Sequence, residues 1–188
     1  NPYELHRTVM SAFPETLAED ERVLFRLETD RQTGVLTLLV QSQNAPDWGF
    51  LDDSQARGYL VSLPEPNPWV KEFDPVIDLD QQYMFRLRAN PTVKRNNKRV
   101  ALVREEDQLA WLQRKAAIGG FVVQSVRIQD QGFVQGQTRR QEPLKLIAVQ
   151  YDGVLKVTDA DAFWQSLVNG IGPAKGFGFG LLSLAAAI

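Results

Sequence analysis

The chain opens with apolar residues at Leu5, Val9, Ala12 and Phe13, a spacing that places them on one face of a helix. Asn1 supplies an N-cap, Pro2 suits the first helical position, and Glu4 stands where a capping-box acid would. Strand-like segments follow. Arg22 to Glu28 and Val35 to Gln41 read as strands joined across a turn-like Thr29 to Gly34. Past Pro46 the pattern weakens: Ala56 to Leu63 is a candidate strand, and Pro64, Pro66, Pro68 and Pro75 mark an extended linker.

The remainder is patterned more clearly. Gln82 to Arg88 places Tyr83, Phe85 and Leu87 on one face of a strand and Met84, Arg86 and Arg88 on the other. Ala89 to Lys98 reads as a polar loop and Arg99 to Val103 as a short strand. Glu105 to Ala117 reads as a helix, with acids in its first turn, Arg114 and Lys115 in its last, and Gly119-Gly120 as its stop. Phe121 to Ile128 and Leu144 to Tyr151 read as strands around a polar excursion, Gln129 to Glu142. A strand over Val154 to Val157, a helix over Asp159 to Asn169, a glycine-rich loop and a strand over Leu181 to Ala186 complete the pattern. The order β-α-β-β-α-β is the split βαβ, or ferredoxin-like (RRM-like), arrangement. The first part shows only α-β-β. We therefore expect an α+β protein of two tandem ferredoxin-like domains, 1–75 and 76–188, the first lacking its opening strand. Asn1 rather than methionine stands first, so that strand is expected upstream.

At 188 residues and 44% hydrophobic, the chain can bury one ordinary core or two small ones. It has no cysteine, which excludes a disulfide framework and thiolate metal sites, and its single histidine excludes a His-rich metal centre. No metal and no cofactor are expected. The longest apolar run, Leu181 to Ile188 apart from Ser183, is far too short to span a bilayer. With no signal peptide evident, a cytoplasmic protein without a membrane partner is expected. Net charge is −2, but it is unevenly divided. Residues 1–80 carry 6 Lys+Arg against 15 Asp+Glu, and residues 81–188 carry 15 against 8. Nine of those fifteen cations lie between Arg86 and Lys115, which points to a nucleic-acid surface as well as to an ordinary solvated one. Arg86, Arg88, Lys94, Arg95, Lys98 and Arg99 are the candidate contacts in that stretch.

Candidate chemistry concentrates at the two ends. Between Gly170 and Gly180 stand five glycines, with Pro173 and Lys175 among them. Such a loop can bring backbone N–H groups up to an anion, and Gly172, Lys175, Gly176 and Gly178 are its candidate phosphate contacts. A flexible closing loop explains the composition equally well. The loop follows a helix and runs into a strand, so it fits neither a dinucleotide fingerprint nor a Walker motif. His6 is the only side chain here whose unperturbed pKa lies near neutrality. It follows Tyr3 by three residues near a helix start, with Arg7 and Thr8 next. These groups offer a proton-transfer residue, a hydroxyl and a cation for attack on a phosphodiester, although a surface histidine beside a partly buried tyrosine has the same pattern. Arg139, Arg140 and Lys145 occupy or flank the polar excursion, where a basic hairpin can bind folded RNA or simply remain solvated. Trp111 reads as core. Asp159 and Asp161 read as helix-capping residues rather than cation ligands.

Four segments together resemble one family: NPYELHRT at Asn1 to Thr8, FRLRANP at Phe85 to Pro91, KRVALVREEDQLAWLQRK at Lys98 to Lys115, and GIGPAKGFGFGLLSL at Gly170 to Leu184. They are similar to the CasE family, the CRISPR repeat-processing endoribonuclease of the type I-E Cascade complex. The resemblance implies two ferredoxin-like domains and metal-independent cleavage of repeat RNA beside a hairpin stem. It further implies attack by the substrate's own 2′-hydroxyl, leaving a 2′,3′-cyclic phosphate and a 5′-hydroxyl. The family's catalytic tyrosine and histidine match Tyr3 and His6, and its glycine-rich loop matches Gly170 to Gly180. Its basic hairpin maps by position alone onto Gln129 to Lys145. The implied partners are CRISPR repeat hairpin RNA, as pre-crRNA and crRNA, and other Cascade subunits. A non-catalytic RNA-binding subunit and an enzyme for a phosphate-bearing ligand are the alternatives.

Overall fold

A computed structural model describes residues 1–19, 21–30, 32–52, 60–61, 66–137 and 140–187. Most of the expected strand at 56–63, with Pro64 and Arg139, lies outside them. The described residues form an α+β structure whose strands all pair antiparallel. None of its helices is long and apolar enough to cross a membrane.

The first helix, α1, spans Pro2–Met10. Asn1 caps it by accepting a hydrogen bond from the Tyr3 N–H at 3.1 Å. Glu4 completes no capping box; its carboxylate pairs with Arg7 at 3.1 Å instead. The apolar face expected for this helix packs inward, with Leu5 partly buried at its edge. Val9, Ala12 and Phe13 join Phe25 in a small core that Leu38, Val40, Trp48 and Phe50 border. Phe25 lies on β1 (Leu24–Thr29), which pairs with β2 (Leu36–Gln41) as a two-stranded sheet.

The larger sheet holds four strands in the order β6-β7-β3-β8: Phe121–Gln137, Pro143–Val157, Gln82–Ala89 and Leu182–Ala186. Helices α2 (Glu105–Ile118) and α3 (Ala160–Asn169) complete the chain order β3, α2, β6, β7, α3, β8 around an inserted hairpin. Phe85, Leu87, Trp111, Phe121, Tyr151 and Phe163 belong to one buried cluster. Trp111 is core as expected and stacks on Tyr151 at 6.2 Å. Each such side chain contributes roughly 1.5–3 kcal/mol by leaving water.

Two stretches depart from the sequence reading. Within the polar Ala89 to Lys98, β4 (Thr92–Arg95) pairs with β5 (Lys98–Ala101) through Asn96-Asn97. Both asparagines have positive φ, 47° and 60°, as a two-residue primed turn requires. The polar excursion Gln129 to Glu142 is mostly strand. β6 runs on to Gln137, β7 begins at Pro143, and the two Leu144 to Tyr151 and Val154 to Val157 segments are one strand. The result is a long arm, interrupted by a bulge between Asp130 and Phe133 where the Asp130 carboxylate accepts from the Gly132 N–H at 2.7 Å.

Candidate active site

The start and the middle of α1 lie against later parts of the chain. At its start, the arm's Gly136 sits so close that a Cβ there would stand 2.6 Å from Asn1 Oδ1 and 2.8 Å from Pro2 Cδ. One turn on, the His6 ring meets the glycine loop. A Cβ on Gly176 would lie 3.5 Å from His6 Cε1 and Nδ1, and the Phe177 ring is centred 6.3 Å away, tilted by 52°. Tyr3 is half-buried one helical turn before His6, so the two project on the same side of α1.

The His6 Nδ1 is buried and takes no hydrogen bond among the described residues. Burial holds the imidazole below its ordinary value of 6.5, because the charged ring loses hydration. At neutral pH the ring is therefore uncharged, with one N–H and one acceptor nitrogen. That is the state a proton acceptor needs.

The glycines of the loop serve packing as well as approach. Gly172 has φ +85°, and a Cβ on it would collide with the Trp111 ring at 2.8 Å. Gly178 has φ +82° and faces the Phe25 ring at 3.2 Å. Neither position tolerates an ordinary side chain without strain. The loop thereby seats against both cores and holds Gly176 and Phe177 toward His6.

The expected basic residues separate into different environments. Arg86 is already paired, with Asp152 at 2.6 Å and Glu28 at 3.5 Å. Arg88 lies over the Phe179 ring at 4.6 Å and donates to Gln131 at 2.8 Å. Burial, then the nearby Arg26, lowers its pKa from the usual guanidinium value. These two are tied into the sheet. Lys94, Arg95, Lys98 and Arg99 stand exposed on the β4–β5 hairpin. Arg99 and Lys175 line a common cleft of about 590 Å³. Arg140 is exposed at the end of the arm, and Lys145 covers the Phe133 ring at 4.3 Å. Arg7 is exposed and paired with Glu4. Asp159 caps α3, accepting from the Ala162 N–H at 3.0 Å.

One positioning residue escaped the sequence reading. Arg26, buried on β1, donates to the Leu181 carbonyl at 3.2 Å, the Arg86 carbonyl at 3.4 Å and Ser183 Oγ at 2.9 Å. Glu28 pairs with it at 2.7 Å and offsets the burial of its charge. It joins β1 to the strand leaving the glycine loop. A cation inside the apolar run Val23 to Leu27 was the available signal.

Comparison with known proteins adds four findings. The family model described as CRISPR associated protein matches residues 1–186. The CRISPR-associated endoribonuclease Cse3 of Thermus thermophilus is 38% identical, across 98% of this chain and 90% of its own length. The CRISPR system Cascade subunit CasE of Escherichia coli strain K12 is 30% identical, across 97% and 91%. Among solved structures, Cse3 bound to a 19-nucleotide RNA superposes with a TM-score of 0.84 at 37% identity, covering 98% of this chain and 90% of that one.

Proposed function

The chain belongs to the family of CRISPR-associated proteins, and we propose that it is the endoribonuclease that cuts CRISPR repeat RNA beside a hairpin stem. It yields mature crRNA and stays with that product as a Cascade subunit. Its similarity to an endoribonuclease with an RNA-bound structure and to a Cascade subunit, each across nearly the full chain, supports this reading. Its partners are the repeat hairpin and the other subunits, in the cytoplasm.

The architecture is read as two tandem ferredoxin-like domains, 1–75 and 76–188. In the second, the order β-α-β-β-α-β and the antiparallel strand order β6-β7-β3-β8 support the assignment.

The reaction is metal-independent. The substrate 2′-hydroxyl attacks the adjacent phosphate, the P–O2′ bond forms and the P–O5′ bond breaks. The products are a 2′,3′-cyclic phosphate and a 5′-hydroxyl. His6, neutral at the working pH, accepts the 2′-hydroxyl proton, the departing 5′-oxygen takes a proton from solvent water, and Tyr3 orients the 2′-hydroxyl or the ring. Loop amides and Lys175 offer charge to the phosphate. Arg7, Arg99, Arg140 and Lys145, with Lys94, Arg95 and Lys98, supply salt-dependent affinity for the RNA backbone. One observation carries this: the chain's only histidine, its Nδ1 without a hydrogen-bond partner among the described residues, lies against Gly176 and Phe177 of the glycine loop.

The decisive experiment is a cleavage gel of repeat RNA with chelator present. Wild-type protein should cut. His6→Ala should lose roughly 10²–10⁴-fold in rate while hairpin binding stays within a few-fold. Undiminished cleavage by the variant, or a strict magnesium requirement in the wild type, would overturn the mechanism.

A further inference from the structure

The cleft of about 590 Å³ between the end of α2, the body of α3 and the glycine loop has a use that the hairpin-binding surface does not supply. Arg99, Lys115 and Lys175 line it from three separate elements, and no Asp or Glu stands among its lining residues. None of the three makes an ion pair with an acid among the described residues. Gln165, also on its wall, accepts from Asn169 through Oε1 at 2.9 Å, which leaves its amide N–H groups free to donate. Burial first, and then the neighbouring charges of Arg22 and Lys115, lower the pKa of Lys175. Concentrated cations without a counter-charge favour an anion.

The cleft's place identifies which anion. Lys175 adjoins Gly176, the residue under His6, so the cleft begins where the active site ends. The β6–β7 arm, with Arg140 and Lys145, reaches α1 at its start, at Asn1 and Pro2, one turn before His6. A stem on the arm and a scissile phosphate at His6 therefore direct the strand beyond that phosphate toward the cleft. Its volume is on the scale of small-ligand sites, roughly 300–1,000 Å³, and too small for a duplex. No aromatic side chain lines it, so it offers no base-stacking platform.

We propose that this cleft binds the phosphates of the unpaired RNA strand flanking the stem, on the far side of the scissile linkage, independently of its sequence. The proposal rests on the endoribonuclease reading above and adds a second RNA-binding site to it.

Two probes test it, both with a 2′-deoxy residue at the scissile position to prevent cleavage. One is the repeat stem-loop alone, and the other carries an oligouridine extension on the scissile side. For the wild type, the extension should tighten binding several-fold and steepen the salt dependence by about 0.7 per phosphate engaged. Lys115→Glu should abolish that gain, and the milder Lys115→Gln should lose part of it should charge reversal disturb folding. Arg104→Glu makes the same charge change at the opposite end of α2, about 16 Å away along the helix, and should keep the gain. An extension that adds nothing to the wild type, or a full gain in both Lys115 variants, would overturn the proposal while leaving the endoribonuclease reading intact. Equal affinity for a free mononucleotide would overturn the assignment to a strand. A wild type that binds neither probe would strike the underlying reading, and this one with it.

Discussion

Around the four-stranded sheet, seventeen buried hydrophobic residues form one cluster; around β1 and β2, only four do, among the described residues. The larger cluster is closed by two helices, whereas the smaller rests on one helix that also bears the catalytic candidates. A core of four residues offers little to hold a proton-transfer group in place. The holding comes instead from the other side. Gly136 abuts the start of α1, Gly176 and Phe177 abut its middle, and Arg26 ties β1 to Leu181 and Ser183. The catalytic candidates thus sit on the weaker region and are held by the stronger one.

Arg26→Ala should break that dependence most severely. The change removes donors to two carbonyls and a hydroxyl and leaves Glu28 without its closest cation. Glu28 is about a third exposed, so water recovers part of the loss. The expected cost is roughly 2–4 kcal/mol, read as a shift in the denaturation midpoint. Below that transition, cleavage should fall by more than hairpin binding falls, because the arm and its cations keep their own sheet. Equal loss of both would show that the small region is not selectively misplaced. Arg26→Lys retains charge but not the fork and should recover only part of the rate.

The pH response is a gentler test of how firmly His6 is seated. Its folded pKa is lowered by burial, so between that value and the ordinary 6.5 the unfolded chain binds more protons than the folded one. Stability contributed by the neutral ring is complete above 6.5 and is lost as pH falls through this window. Activity should follow, dropping about tenfold per unit below the folded pKa, since only the neutral ring accepts a proton. With one histidine in the chain, its imidazole signal in a proton NMR titration needs no assignment. A midpoint at or above 6.5 would show that the ring is not held in the loop's shelter.

How much of this was legible depended on whether burial left a periodic trace. The core face of β3 was readable because Phe85 and Leu87 alternate toward one compact cluster, and helix α2 because charges of opposite sign mark its ends before Gly119-Gly120. The outer half of the β6–β7 arm was not, because its Gln129, Gln131, Gln135 and Gln137 cover no core and its ladder is held by backbone pairing. The β4–β5 hairpin is equally polar, and only Asn96-Asn97 hinted at its turn. His6 and the glycine loop were each visible as separate features. Their meeting across some 170 residues is a tertiary fact that periodicity cannot encode, and the family resemblance alone linked them.

The smallest effect separates cations that serve the fold from cations available to RNA. Arg86 and Lys98 carry the same charge in the same basic stretch, yet Arg86 is held by Asp152 and Glu28 while Lys98 stands exposed beside the Asn96-Asn97 turn. Arg86→Ala should lower stability, by about 1–2 kcal/mol after solvent screening of a half-exposed pair, because it leaves Asp152 without its cation. It should leave the salt slope of RNA binding unchanged. Lys98→Ala should do the opposite, keeping the denaturation midpoint and reducing the slope by about 0.7–0.9 if it engages one phosphate. Binding isotherms across a salt series, paired with urea melts, give both quantities for each variant. Should Arg86→Ala change the slope as Lys98→Ala does, the ion pairs with Asp152 and Glu28 must open when RNA arrives, and the sheet face would be part of the binding surface.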